Sequence, residues 1–158
     1  MTDALPAGFR LSPFCDGHIP AAAEIERVCF SNPWSEESLK YLTGSGPAFG
    51  VACETDGGLL AGYCSAETAG PYAYIMNVAV LPGYRRRGLA KAMIRRITAL
   101  CRERGAVVIS LDVRESNAAA RALYEKLGFR AEGILPRHYR NPVEAAVVMN
   151  LYPDAQNE

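Results

Sequence analysis

The sequence predicts one α/β (α+β) domain built on a mixed central β-sheet, and three observations carry that reading. The 158 residues amount to one domain at roughly 100 to 200 residues per domain. In the first half an Asp56-Gly57 turn lies between two β-like runs, the short-range signature of an antiparallel hairpin. In the second half strands alternate with helical patterns, which requires parallel neighbours there. With 49% hydrophobic and 22% charged residues, the composition is that of a globular chain rather than a disordered or fibrous one. The domain is expected to span 1–153, followed by a polar tail at 154–158 that frays.

Taken in order, Phe9, Leu11 and Phe14 predict a short first strand, and Ile25, Val28 and Cys29 mark a helix within Ile19 to Phe30. Asn32-Pro33 interrupts it, and Ser35 followed by Glu36 and Glu37 caps a second short helix running to Leu42. Ala48 to Glu54 and Leu59 to Glu67 are the hairpin strands. Tyr72 to Leu81 is a nearly continuous apolar run closed by Pro82-Gly83, as expected of a central strand covered on both faces. From Gly88 to Arg104, Leu89, Met93, Ile97 and Leu100 form one stripe of a long amphipathic helix. Val107 to Val113 reads as a buried strand, and Asn117 to Leu127 as a helix closed by Gly128. Phe129 to Ile134 and Ala145 to Leu151 complete the strands.

Seventeen basic residues balance seventeen acidic ones, and the pI near 6.7 argues against general nucleic-acid binding. The five cysteines include no CxxC pair, so neither a zinc site nor a disulfide framework is indicated, and a reducing cytoplasm is expected. Residues 1–10 lack the pattern of a signal peptide and no apolar run approaches the ~18 residues of a membrane span. Basic charge is nevertheless uneven, with Arg85, Arg86, Arg87, Lys91, Arg95, Arg96, Arg102 and Arg104 in one stretch. Such a run fits either an anion site or the solvated face of a helix.

The stretch from Asn77 to Lys91 is strand, short turn and a glycine-containing basic helix start. The first N–H groups of a helix have no internal acceptors and carry the positive end of its dipole, so this geometry can cradle a phosphate. An ordinary strand-to-helix connection with solvated arginines fits the spacing equally well, since one glycine is a weak signal.

This segment resembles motif A of the GNAT superfamily of acyl-CoA-dependent N-acetyltransferases, a Gln/Arg-x-x-Gly-x-Gly/Ala pattern met by Arg85, Gly88 and Ala90. Leu111 to Phe129, reading LDVRESNAAARALYEKLGF, is similar to motif B in its RimI-type form, that of N-terminal acetyltransferases. Pro33-Trp34-Ser35-Glu36, Tyr139 and Glu144 to Met149 extend the likeness over most of the chain.

The resemblance implies a GNAT-like sheet of about six to seven strands flanked by about four helices, with an acyl-CoA cleft between splayed central strands. It further implies that backbone groups of Val78, Ala79 and Val80 meet the acetyl-CoA thioester and pantetheine arm. Arg85, Arg86, Arg87, Gly88, Leu89, Ala90 and Lys91 would hold the pyrophosphate, and Asn117 would bond the CoA arm. Tyr124 would be the general acid for the leaving thiolate. Where a RimI-like enzyme carries a glutamate base, this chain has Asp112, which is one methylene shorter and so reaches an amine less directly. Trp34 and Tyr139 would flank a peptide entrance, with His138 a reserve for proton relay.

Residue spacing bears on these roles independently. Asn117 and Tyr124 are seven apart, two helical turns, and share a face. Asp112 alternates away from Leu111 and Val113 and so turns toward the cleft. A core aromatic at Tyr124 and a loop anchor at Asp112 are the alternatives.

The implied activity is acetyl-CoA-dependent acetylation of a protein N-terminal amine, in the family the N-terminal alanine of a ribosomal protein. No metal, nucleic acid or membrane is called for, and a monomer or weak dimer is expected. An α-amine with pKa near 8 is about 10% neutral at pH 7, against about one part in 2,500 for lysine, so a modest base suits the former. Acetylation of a small-molecule amine on the same fold, or a silent acyl-CoA-binding module, are the competing readings.

Overall fold

Seven strands form one sheet in the computed structural model, which describes residues 5–154. The strands are β1 (Phe9–Pro13), β2 (Ala48–Thr55), β3 (Leu60–Ala69), β4 (Tyr72–Val80), β5 (Val108–Arg114), β6 (Arg130–Tyr139) and β7 (Glu144–Leu151). Their spatial order is β1-β2-β3-β4-β5-β7-β6, and only the β4–β5 pair is parallel. The mixed sheet is thus the one expected, with α3 (Leu89–Glu103) as the crossover that a parallel pair requires. The other helices are α1 (Ile19–Cys29), α2 (Glu36–Lys40) and α4 (Ala118–Lys126).

Two apolar layers follow from the sequence periods. The stripe of α3 buries Leu89, Met93, Ile94 and Ile97, and packs with Ile109, Leu111, Val113, Tyr124 and Phe129 into one cluster. On the opposite face α1 and α2 bury Ala22, Ala23, Ile25 and Leu39 against Ala52, Tyr63 and Ala79. Each fully buried large side chain contributes about 1.5–3 kcal/mol, so these two layers carry most of the cohesion. Ser35 caps α2, its Oγ accepting from Ser38 N at 3.1 Å.

Three local features differ from expectation or escape it. The start of β4 is covered on one face only: Tyr72 is 60% and Tyr74 39% exposed, because the α1–α2 layer reaches β4 at Met76 and Ala79. β6 runs on past Ile134 to Tyr139, held by pairing with β7 rather than by its own polar sequence. In the hairpin, β3 approaches β4 so closely that a Cβ at Gly62 would stand 2.5 Å from the Ala79 carbonyl oxygen. Of the expected tail, Asp154 pairs with Arg102 at 3.0 Å, and residues 155–158 lie outside the described residues. Among the described residues no helix is long and apolar enough to cross a membrane.

Candidate active site

β4 and β5 pair only at Tyr72, Ala73 and Tyr74 with Val108, Ile109 and Ser110. Beyond these they splay, since β4 stays with β3 and β5 turns with β7. The gap is a cleft of about 540 Å³ whose lining includes Trp34, Val78, Asp112, Asn117, Tyr124 and Tyr139. Residues expected to act together from five separate stretches of sequence are therefore brought to one place.

A β-bulge organises the β4 wall. Ser65 pairs with Asn77 and Ala66 with Ile75, which leaves Met76 as an extra residue. Before it Ala73 and Ile75 face the α3 layer, whereas after it Val78 does so, and Met76 and Asn77 both turn toward α1. Asn77 Nδ2 thereby donates to Glu26 Oε2 at 3.0 Å and to Tyr63 Oη at 3.1 Å. Tyr63 Oη donates to the same carboxylate oxygen at 2.6 Å, and Trp34 N donates to Oε1 at 2.8 Å. Glu26 is 1% exposed, so this satisfied carboxylate fixes the α1–α2 connection against the bulge. Glu26, Tyr63 and Asn77 escaped the sequence reading. The available signal was Glu26 four residues after Ala22 and three before Cys29, a carboxylate at core spacing on α1.

The same bulge sets the strand edge. The Val80 carbonyl turns away from β3 and accepts from Arg85 Nε at 2.9 Å and Cys29 Sγ at 3.6 Å, while Leu81 N donates to Ala61 O in β3. Backbone groups two residues apart share an edge, so the N–H of Val78 also faces the cleft. Ala79 is buried against α1, off the cleft wall. Arg85 braces the strand end, its Nη2 also reaching Cys29 Sγ at 3.4 Å.

After β4 the chain passes a 3-10 turn at Pro82–Tyr84 and enters α3 through two left-handed residues, Arg86 at φ 64° and Gly88 at φ 82°. Ala92 N makes the first α3 bond, to Gly88 O, so the N–H groups of Leu89 and Ala90 have no intrahelical acceptor. The position a Cβ would occupy at Gly88 is open. Arg87 lies over the Tyr84 ring and donates to Gly83 O at 3.3 Å. These residues fit a diphosphate by backbone N–H groups, helix dipole and flanking guanidinium groups.

On the other wall Leu111 and Val113 are core residues and Asp112 turns into the cleft. Tyr74 Oη donates to Asp112 Oδ2 at 2.6 Å, and His138 Nε2 stands 3.4 Å from the same oxygen. Burial and then the Asp112 carboxylate hold the Tyr74 phenol above its ordinary pKa, so it remains a donor. Tyr139 packs its ring edge-on to His138 at 4.9 Å and under the Arg114 guanidinium at 4.6 Å. Arg114 also donates to the carbonyls of Pro142 and Arg140, each at 2.9 Å, and Asn141 Nδ2 donates to Asn32 Oδ1 at 3.1 Å. The β6–β7 loop and the α1–α2 connection are thus tied together beside the cleft.

Asn117 caps α4, its Oδ1 accepting from Ala120 N at 3.2 Å, and the residue lines the cleft. Tyr124 is 9% exposed, and burial pushes its phenol up to about 12. Among the described residues no group of His, Cys, Asp and Glu could hold a metal ion.

The model of the acetyltransferase (GNAT) family matches residues 19–129, from α1 through the end of α4. The chain belongs to the GNAT family of acetyltransferases. Among GNAT relatives, the [ribosomal protein bS18]-alanine N-acetyltransferase of Escherichia coli (strain K12) is 34% identical over 135 residues, 84% of this chain and 90% of its own. A Bacillus subtilis (strain 168) protein, provisionally named as the same enzyme, is 37% identical over 127 residues, 80% of this chain and 83% of its own. The crystal structure of the Escherichia coli ribosomal-protein-S18-alanine N-acetyltransferase superposes with a TM-score of 0.82 at 32% identity, covering 91% of this chain and 93% of that one. The seven-stranded sheet and four helices are accordingly a GNAT fold, and the chain is an N-acetyltransferase with acetyl-CoA as its co-substrate.

Proposed function

We propose that this protein transfers acetyl from acetyl-CoA to the N-terminal α-amine of a ribosomal protein whose first residue is alanine. The observation that carries this reading is the cleft itself: Trp34, Val78, Asp112, Tyr124 and Tyr139 all line one opening. The names of the relatives supply the acceptor class. The oligomeric state that fits is a monomer or weak dimer, and five free thiols among the described residues suit a reducing cytoplasm.

In this mechanism Gly88, Leu89 and Ala90 bind the diphosphate through backbone N–H groups, with Arg86, Arg87 and Lys91 beside them. Val78 N–H donates to the thioester oxygen and gains strength as negative charge builds there. Asp112, oriented by Tyr74 and His138, takes the proton from the attacking amine, through a water where its short side chain requires one. Tyr124 gives its proton to the departing sulfur, and the raised pKa keeps that proton in place until the charge appears. One N–C bond forms and one C–S bond breaks, with no covalent enzyme intermediate.

The deciding experiment measures CoA release with a short alanine-starting peptide, against the same peptide blocked at its N-terminus but carrying a free lysine. Mass spectrometry locates the acetyl group. Acetylation of the free α-amine alone is expected. Reaction of small amines with neither peptide accepted would overturn the N-terminal reading in favour of a small-molecule acceptor.

A further inference from the structure

β1 and β2 are unequal in length, and a second cavity lies where they part. β1 pairs with β2 from Phe9 to Pro13, opposite Thr55 to Val51, while β2 begins three residues earlier, at Ala48. Past Pro13 the first strand keeps one bond to the second, Phe14 N to Gly50 O at 2.9 Å, and the chain then leaves toward α1. Gly50 permits that crossing, since a Cβ there would stand 2.9 Å from Phe14 Cβ. The space beside the end of β2 is left to the last turns of α3 and to the loop that follows α2. It forms a cavity of about 340 Å³ whose apolar lining includes Phe14, Leu42, Phe49, Val51 and Leu100.

This cavity shares no lining residue with the acetyl-transfer cleft. Arg104 follows Gly88 by sixteen residues. At 1.5 Å per residue that is about 24 Å, so the diphosphate cradle and the cavity lie at opposite ends of α3.

The charges at the cavity are all of one sign. Arg96, Leu100 and Arg104 recur at i, i+4 and i+8 and so share a face of α3, and all three line the cavity. The Arg104 guanidinium lies 3.8 Å over the Phe49 ring, which fixes its plane and leaves its N–H edges for another partner. Among the described residues no carboxylate or carbonyl accepts from the side chain of Arg104 or of Arg96. Arg102, on another face of the same helix, has a partner of the ordinary kind in Asp154. No acidic side chain lines the cavity, and the hydroxyl of Ser12 at its margin donates to Glu54. The Gly44 N–H, in the loop after α2, also lacks an acceptor among the described residues.

Aromatic and aliphatic surface beside two guanidinium groups without a counter-charge is the complement of an anion carried on an apolar body. A carboxylate fits the fork of Arg104 with two parallel hydrogen bonds. A phosphate dianion would lose more hydration on entering a cavity lined mainly by apolar side chains. The volume lies at the low end of the roughly 300–1,000 Å³ typical of small-molecule sites, which suits a body of one or two rings.

We propose that this cavity is a binding site for a small aromatic monocarboxylate, separate from the acetyl-transfer cleft. The ring system rests on Leu42, Phe49 and Leu100, the carboxylate accepts from Arg104, and Arg96 supplies the second positive charge.

The test titrates 1-naphthoate into the full-length protein and follows the amide chemical shifts, with 1-naphthylmethanol as the neutral counterpart. Binding is read without any acetyl transfer, so it stands or falls independently of the acceptor assigned above. Saturable shifts are expected at Gly44, Phe49 and Leu100, unchanged when acetyl-CoA is present. The neutral counterpart should bind about tenfold more weakly. Arg104→Ala should weaken naphthoate binding about tenfold, and Arg96→Ala by less. Both arginines are exposed, and thermal melts establish that each variant is folded. The absence of saturable shifts, equal binding of the alcohol, wild-type affinity in Arg104→Ala, or displacement by acetyl-CoA would overturn the proposal. A peptide with a free C-terminal phenylalanine that binds more tightly than naphthoate would overturn it in favour of a protein C-terminus.

Discussion

Tyr124 and Asp112 line one cleft for reasons that are plain in the sequence and are partnered in ways that are not. The two-turn spacing from Asn117 and the alternation about Leu111 and Val113 orient both side chains. What the sequence conceals is that Asp112 shares its Oδ2 with Tyr74, 38 residues away. Replacing Tyr124 by Phe should lower kcat by roughly a hundredfold and leave acetyl-CoA affinity within twofold, measured by CoA release and calorimetry. The pH profile follows from the same residue. Because burial raises its folded pKa to about 12, Tyr124 stays protonated well above the ordinary value of 10. Its contribution to stability is complete below about pH 10, where the unfolded phenol is also protonated, and fades as pH rises toward 12. The value of kcat/KM with an alanine-starting peptide should therefore rise to a plateau near the amine pKa of about 8 and hold to about pH 10. An alkaline limb near pH 10 that Tyr124→Phe abolishes would contradict this.

At the scale of elements, helices and strands with strong periods were legible, and those defined by their neighbours were not. α3 announced itself through Leu89, Met93 and Ile97, and the Asp56-Gly57 turn placed β2 and β3. β6 beyond Ile134 and the Met76 bulge are consequences of pairing with β7 and β3, and no local pattern encodes them. The closeness of β3 and β4 gives a prediction at this scale. Gly62→Ala must push a methyl group against the Ala79 carbonyl, a contact with backbone that cannot swing aside. It should cost about 3 kcal/mol in urea unfolding, whereas Ser35→Ala, which removes only the α2 cap, should cost about 1 kcal/mol. The buried Glu26 belongs here too, since it joins α1 to β3, β4 and Trp34 in the α1–α2 connection. Glu26→Ala removes the acceptor of the Tyr63 O–H and the Trp34 N–H and leaves Asn77 Nδ2 only Tyr63 Oη, and should cost about 3 kcal/mol with a raised KM for peptide. Little change in both quantities would show that the α1–α2 connection is positioned by other contacts.

For the whole molecule, the alternation of strands and helices was enough to predict a mixed sheet, and motifs A and B were enough to predict where it opens. The opening has a further consequence. β1 to β4 and β5 to β7 are two leaves stitched to each other by three residue pairs at one end of the β4–β5 seam. A ligand lying along that seam touches both leaves and acts as a binding in the bookmaker's sense. Acetyl-CoA at a hundred times its Kd should add about 2.7 kcal/mol to global stability. Its effect on hydrogen exchange should be concentrated at Ile75 to Val80 and Leu111 to Arg114, the unstitched margins. Without it those margins are joined by side-chain packing rather than by strand pairing.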